Sequence, residues 1–433
     1  MSILARSVSF NIAGNIGTLA VGFVASIVVA RLLGPADRGV LALVTYGVGI
    51  VLAVAGVGLP LAVLYFASKR EAQRGALLGN SLAWGGLLAI VFVPAFALLA
   101  APLAQAFSKG VGEAAWVVGG LLVPLMFLDW SIHNQLYGRL RFGLLNVLFV
   151  LSRVVALVSI IVFVGLLDLG VPGAVLASAA AAVFMIVGSL ATTLRDVRPE
   201  FDWSLLRTML SYGTRVSIGA VFGIATYRVD VLVLQFYAPL SSVGYYVVAQ
   251  LIAELALVVA GAFGSSVTPL MSHYEGDARQ SEITSSLRHM GLLTALTIGA
   301  NAVLGSVVIL FAYGPEFHPA VVPMLILLPG IWFLAIARVV SADLSGRGRP
   351  GLSSAISGVT VVAMVGLDFA LIPLFGVNGA AVASVLAYAF YGLVSVATLS
   401  HVADVPVAAL LLPRRVDLDS YRTLWRRAVG RYF

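Results

Sequence analysis

Four arginines, Arg153, Arg215, Arg228 and Arg338, stand inside stretches of the chain that are otherwise almost wholly apolar. A guanidinium is always charged, and its planar fork of donors matches phosphate oxygens two at a time. An ionisable side chain in hydrocarbon is costly, so it marks a cavity or pathway unless it snorkels to the headgroups or pairs locally. The four are read as lining a cleft that binds an anionic headgroup, of which pyrophosphate is the most obvious. Carboxylates in the same stretches suggest a second task. Glu254 lies in a charge-free neighbourhood and either titrates or meets a cation. It is assigned, with Asp230 as partner and Asp368 as a further candidate, to proton or sodium coupling, a permanent ion pair to an arginine being the alternative. Asp129, Asn11 and Asn15 complete the polar residues of the cavity; Asn11 and Asn15, four apart on one helix face, also suit interhelical hydrogen bonding.

Bond-making chemistry has no comparable support. The chain carries no Gly-x-x-x-x-Gly-Lys loop, no His-Glu-x-x-His pair and no Gly-x-Ser-x-Gly elbow, and its five histidines are scattered. With no cysteine, disulfides, thiolate zinc sites and cysteine nucleophiles are excluded together. Neither an enzyme, a metal site nor a cofactor is expected. Uphill work would draw on an ion gradient, the membrane potential or metabolic pull.

The elements that must position these residues are membrane helices. Hydrophobic residues make up 61% of the 433 and charged ones only 10%, a balance far too apolar for a soluble core. Charge-free stretches at 40–67, 76–108, 169–194 and 369–403 each exceed the roughly 18 to 20 apolar residues that cross a bilayer as a helix. Helix is the default because an unpaired backbone amide in lipid costs several kcal/mol. About twelve spans are expected, the first retained rather than cleaved as a signal. With the N-terminus inside, cytoplasmic segments collect the loop cations except Arg31, Arg38 and Lys109, so both termini are placed in the cytoplasm. The net charge of +7 is thereby topological, and no nucleic-acid partner is expected.

The chain also repeats itself. Gly138-Arg-Leu-Arg-Phe-Gly143 resembles Gly346-Arg-Gly-Arg-Pro-Gly351, and Gly170-Val-Pro-Gly-Ala174 resembles Gly376-Val-Asn-Gly-Ala380, at offsets of 208 and 206; a weaker pair sets Gly34-Pro35 through Gly39 against Ala238-Pro239 through Gly244. Two six-helix bundles, 1–200 and 201–412, are expected, related by a pseudo-two-fold axis along the membrane normal, with a cleft between them. Residues 413–433 read as a basic amphipathic cytoplasmic tail attracted to anionic lipid.

Phe10-Asn-Ile-Ala-Gly-Asn15, followed by Val29-Ala-Arg-Leu-Leu-Gly-Pro-Ala-Asp-Arg-Gly39, resembles the opening of prokaryotic Wzx-type oligosaccharide flippases. These belong to the multidrug/oligosaccharidyl-lipid/polysaccharide (MOP) exporter superfamily. The resemblance extends over the whole chain through the six-plus-six layout and the basic loops. It implies an all-α integral membrane protein of MATE/MOP-like fold in the cytoplasmic membrane, acting as a monomer. Its implied function is to flip a polyprenyl-diphosphate-linked glycan for surface polysaccharide biosynthesis by alternating access, with membrane lipids and glycan-assembly enzymes as partners. Two readings compete. An ion-coupled multidrug exporter of the same fold should favour acidic and aromatic cavity residues, and a non-transporting scaffold for polysaccharide enzymes would leave buried arginines unexplained. A lipid II flippase would have fourteen spans.

Overall fold

Apolar sequence that must satisfy its own backbone polar groups folds as helices, and all regular structure among the described residues is helical. The computed structural model describes residues 3–69, 73–258, 276–347 and 349–412. The tail 413–433 lies outside the described residues, as do the side chains of Asn11 and Asn15. In order the helices are α1 (Ile3–Ala55), α2 (Leu59–Lys69), α3 (Arg74–Ser108), α4 (Glu113–Gly138), α5 (Phe142–Ile160), α6 (Gly170–Thr193), α7 (Trp203–Tyr237), α8 (Leu240–Glu254), α9 (Gly276–Val308), α10 (Val321–Gly346), α11 (Pro350–Ala403) and α12 (Val407–Leu411).

Nine helices among the described residues are long and apolar enough to cross a membrane, or ten if α7, bent by 53° between Gly223 and Ala225, counts as one span. Two of the nine are double. α1 breaks at Gly34 (φ 73) and α11 at Gly376 (φ 56), both left-handed conformations open to glycine. With α7 counted and each side of those two breaks taken separately, the ten become twelve helical segments among the described residues. One expectation of detail fails: the run 40–67 is not a single helix. It turns at Gly56–Gly58, where Val57 (φ 49) and Gly58 (φ 64) are left-handed. Hydropathy is blind to this break because the turn residues are themselves apolar.

By compactness the chain divides into Met1–Tyr245 and Tyr246–Phe433. In the first unit Leu59 and Phe66 of α2, Leu77 of α3, Phe127 of α4 and Leu206 and Met209 of α7 share one buried cluster. Thus α7, which heads the second sequence repeat, packs inside the first unit. The segment before it is strapped to α3. Asp202 caps α7, its Oδ1 accepting from the Leu205 amide at 3.0 Å. The fully buried Asn80 brackets Asp202 from both sides, Nδ2 donating to its carbonyl at 2.9 Å and Oδ1 accepting from its amide at 3.0 Å. Gly79 lets the strap lie this close, since a Cβ there would overlap the Glu200 carbonyl oxygen. Asn80→Ala removes both bonds and strands the Asp202 amide, at about 1–3 kcal/mol when unsatisfied, while the Asp202 carbonyl still accepts from the Leu206 amide at 2.9 Å. A thermal unfolding midpoint in detergent several degrees below wild type is the expected result.

In the first unit α1 and the start of α8 cross with their backbones in contact. A Cβ on Gly39 would overlap the carbonyl oxygen of Leu240, and one on Gly244 would overlap that of Pro35. These residues lie within the third, weak sequence repeat, and residue i of one copy meets residue j of the other in both directions. That reciprocity is what a local two-fold axis produces.

In the second unit Asp343 of α10, with a side chain only 1% exposed, accepts from Arg279 of α9 at 3.0 and 3.1 Å and also from Arg347. In the first unit the Gln135 amide donates to the Arg74 carbonyl at 2.8 Å. Arg74 and Arg279, like Gln135 and Asp343, stand at the repeat offset, so equivalent positions make a neutral contact in one unit and an ionic one in the other. Gly170 (φ 54) and Gly376 (φ 56), likewise equivalent, both adopt the left-handed conformation.

Candidate anion-binding site

Gly58 and Gly213 bring α2 and α7 into backbone contact: a Cβ on either would overlap a carbonyl oxygen of the other helix's segment, that of Gly213 or of Val57. Beside this contact a cavity of about 530 Å³ opens in the first unit, lined by Tyr65, Phe66, Lys69, Arg207, Thr208, Ser211, Tyr212 and Arg215. Its volume is in the range of small-ligand sites, about 300–1,000 Å³. Thr208, Ser211, Tyr212 and Arg215 recur at three- and four-residue spacing and so share one face of α7. Lys69 closes the last turn of α2, where its charge complements the helix dipole.

Three cations and, among the described residues, no carboxylate line the cavity. Among the described residues, none of Lys69, Arg207 and Arg215 has a carboxylate within ion-pair distance. Lys69 is instead held by Tyr65, its Nζ 3.1 Å from the phenol oxygen and 4.6 Å from the ring centroid. Three positive charges around one recess, with hydroxyls between them, suit an anion.

Of the arginines singled out by sequence, only Arg215 belongs to this cavity. Arg153 is exposed on α5, its Cδ lying 4.0 Å from where a Cβ on Gly22 would stand. Arg228, thirteen residues beyond Arg215 and so about 20 Å along an ideal helix, stacks over the Tyr46 ring at 5.0 Å and donates to the Tyr227 carbonyl at 3.2 Å. Arg338 is exposed on α10, in the second unit. Among the carboxylates, Asp230 and Asp368 are fully buried, and Asp230 Oδ1 accepts from the Val231 amide at 2.8 Å. Glu254 is half-buried at the end of α8 and, like Asp368, falls in the second unit, whereas Asp230 falls in the first. Asp129 contacts His133 at 3.2 Å on its own helix. Sequence reasoning missed Lys69 and Arg207, taken as topological loop charges, and both tyrosines. Of the α7 half of the site only Arg215 was legible, as a cation inside an apolar run; the α2 half was not.

A second cationic cluster holds the strap beside the site. Asp196 accepts from Arg139 and, at 2.8 Å, from Arg141. The Arg139 hydrogen bond, with the charges of both arginines, lowers its pKa below the ordinary carboxylate value despite some opposing desolvation. Because the folded pKa is depressed, this stabilising contribution is present above the unfolded value of about 3.8 and is lost only as pH falls through the lower folded one. The tether is therefore intact near neutral pH, and Asp196→Asn should release it. Faster tryptic cleavage at Arg195 and Arg198 of the folded variant is the expected sign.

Residues 4–275 match the family described as polysaccharide biosynthesis protein. The chain is 24% identical over 392 residues to the probable low-salt glycan biosynthesis flippase Agl15 of Haloferax volcanii, covering 89% of this chain and 81% of that one. Among solved structures it is similar to the lipid II flippase MurJ in an inward closed conformation, with a TM-score of 0.75 at 14% identity over 97% of this chain and 92% of that one. It is also similar to a multidrug resistance MATE family transporter of the MOP superfamily in an inward-facing conformation, with a TM-score of 0.68 at 18% identity over 90% of this chain and 95% of that one. At such identities these structures establish the fold.

Proposed function

Since the chain belongs to the polysaccharide biosynthesis protein family and is a multi-pass integral membrane protein of MOP fold, we propose that it flips a polyprenyl-diphosphate-linked oligosaccharide across the cytoplasmic membrane by alternating access. The observation that carries this reading is the cavity between α2 and α7, with three cations and, among the described residues, no carboxylate. A lipid diphosphate is the anionic group such a protein meets at the end of a membrane helix, and guanidinium and ammonium donors suit its oxygens. The flippase name of the Haloferax volcanii relative points the same way.

A cationic drug would be repelled by Lys69, Arg207 and Arg215, so a multidrug exporter fits the cavity poorly. A non-transporting scaffold has no use for it. In the proposed orientation both termini and the cavity mouth face the cytoplasm, where the loop cations collect. The two six-helix repeats, 1–200 and 201–412, are the bodies that alternate, and the buried Asp230 and Asp368, with Glu254, are the residues through which a proton or sodium gradient would couple. Arg153, Arg228 and Arg338 serve later stations of the path, and Asn11, Asn15 and Asp129 its polar lining.

The natural absence of cysteine gives a clean test. In a Ser211→Cys variant, farnesyl diphosphate should slow maleimide labelling at least about tenfold, whereas farnesol and a cationic dye should not. Protection by the dye and none by the diphosphate would reverse the assignment.

A further inference from the structure

The cavity is larger than the group its cations suit. A diphosphate has two phosphorus and seven oxygen atoms; at roughly the 30 Å³ that a water molecule occupies in the liquid, these fill only about half of 530 Å³. What remains is bounded by aromatic surface. Tyr65 of α2 and Tyr212 of α7 stack with centroids 4.6 Å apart and planes 18° from parallel. Phe66 meets both edge-on, at 5.2 and 5.9 Å, and is itself buried. The pair is thus rigid before any ligand arrives, and a tyrosine has few rotors to freeze.

Charge sits beside that wall. Lys69 stands over the Tyr65 ring and against its hydroxyl, so its positive charge lies next to the stacked pair. Tyr212 precedes Gly213, whose contact with Gly58 sets the helix separation. Ser211 and Thr208, on the same face of α7, add hydroxyls. A group bonded to a phosphate held by Lys69 therefore reaches a flat apolar ring fringed with hydrogen-bonding oxygen. A pyranose has that double character, with apolar C–H faces and a rim of hydroxyls. An isoprenoid tail, which has no hydroxyls, leaves the oxygens unmatched.

We propose that Tyr212, braced by Tyr65, is the surface on which the first sugar of the glycan rests while Lys69, Arg207 and Arg215 hold the diphosphate, so that the cavity reads the sugar–phosphate junction. This rests on the headgroup reading given above and adds to it a recognition of sugar. It makes bare polyprenyl diphosphate a poorer ligand than its glycosylated form.

The test compares the Kd of purified full-length protein for farnesyl diphosphate with its Kd for farnesyl-diphospho-N-acetylglucosamine, -glucose and -galactose. The deciding number is the ratio of the two, so a change in phosphate affinity cancels. For wild type at least one sugar should tighten binding about tenfold or more. Tyr212→Phe, which keeps the ring, should retain most of that increment, and Tyr212→Leu should bring the ratio to about one. Should Tyr212→Leu not fold, Tyr212→Trp replaces it: its added indole emission should shift with the glycosylated ligand and not with the bare one. A wild-type ratio near one for all three sugars overturns the proposal, as does an increment that survives in Tyr212→Leu or is lost in Tyr212→Phe, or an indole emission in Tyr212→Trp that the glycosylated ligand leaves unmoved. Failure of wild type to bind even bare farnesyl diphosphate would overturn the headgroup reading and the wall with it.

Discussion

Arg215→Glu is expected to weaken farnesyl diphosphate binding by about 10- to 100-fold, with Arg215→Lys recovering part of the loss. Hydrogen bonds to charged groups contribute about 1.5–3 kcal/mol, and each 1.4 kcal/mol is tenfold in affinity. Reversal also sets a carboxylate beside the anion it would have to hold. The expectation is directional because, among the described residues, no acidic side chain lines the cavity, so the charge of the three cations is available to a ligand. Exposure moderates the effect. All three are exposed side chains, and screening by salt reduces what each contributes. The loss should therefore be largest at low ionic strength, measured by titration calorimetry at two salt concentrations. An affinity unchanged in Arg215→Glu would remove the site from the transport path.

The second large effect lies beyond the far end of α7. Gly244→Val should open the crossing of α1 and α8, because the added side chain meets the Pro35 carbonyl, a backbone atom that cannot swing away. Overpacking of this kind costs about 1–3 kcal/mol where side chains can adjust, and more where they cannot. Gly86→Ala is the control, since a Cβ there meets nothing within 4 Å. Two readouts separate outcomes: a lowered unfolding midpoint, and faster maleimide labelling of a cysteine placed at Leu240. The same two readouts applied to Gly39→Val should give the same result, because the contact is reciprocal. A difference between the two glycines would show that the local symmetry does not govern the crossing.

Much of this architecture was legible as periodicity and little of it as contact. Long charge-free runs pointed to the spans, and the paired Gly138 and Gly346 segments suggested a duplication; Gly170 and Gly376, one repeat apart, share a positive φ. The breaks within helices were hidden, because Gly56–Gly58 and Gly34 interrupt hydrogen bonding without interrupting hydropathy. Arg215 was found because a cation deep in an apolar run demands a reason. Lys69 and Arg207 were passed over for the opposite cause: at the ends of helices a cation already has a reason in topology, and a charge that serves two purposes betrays only one. Tyr65 and Tyr212 are 147 positions apart, and nothing local announces that Gly58 and Gly213 let their helices touch. Asn80 is the same case, an ordinary polar residue of a membrane helix until Asp202 is folded against it.

The central claim is that this protein carries a diphosphate-linked glycan and does so through the α2–α7 cavity. Translocation in proteoliposomes decides it most directly, with polyprenyl-diphosphate glycans in the membrane, imposed proton or sodium gradients, and wild type beside Arg215→Glu. Glycan headgroups should appear on the opposite leaflet with wild type and at a rate at least about tenfold lower with the variant. Transport of a cationic drug, with no translocation of any diphosphate-linked glycan, would contradict it.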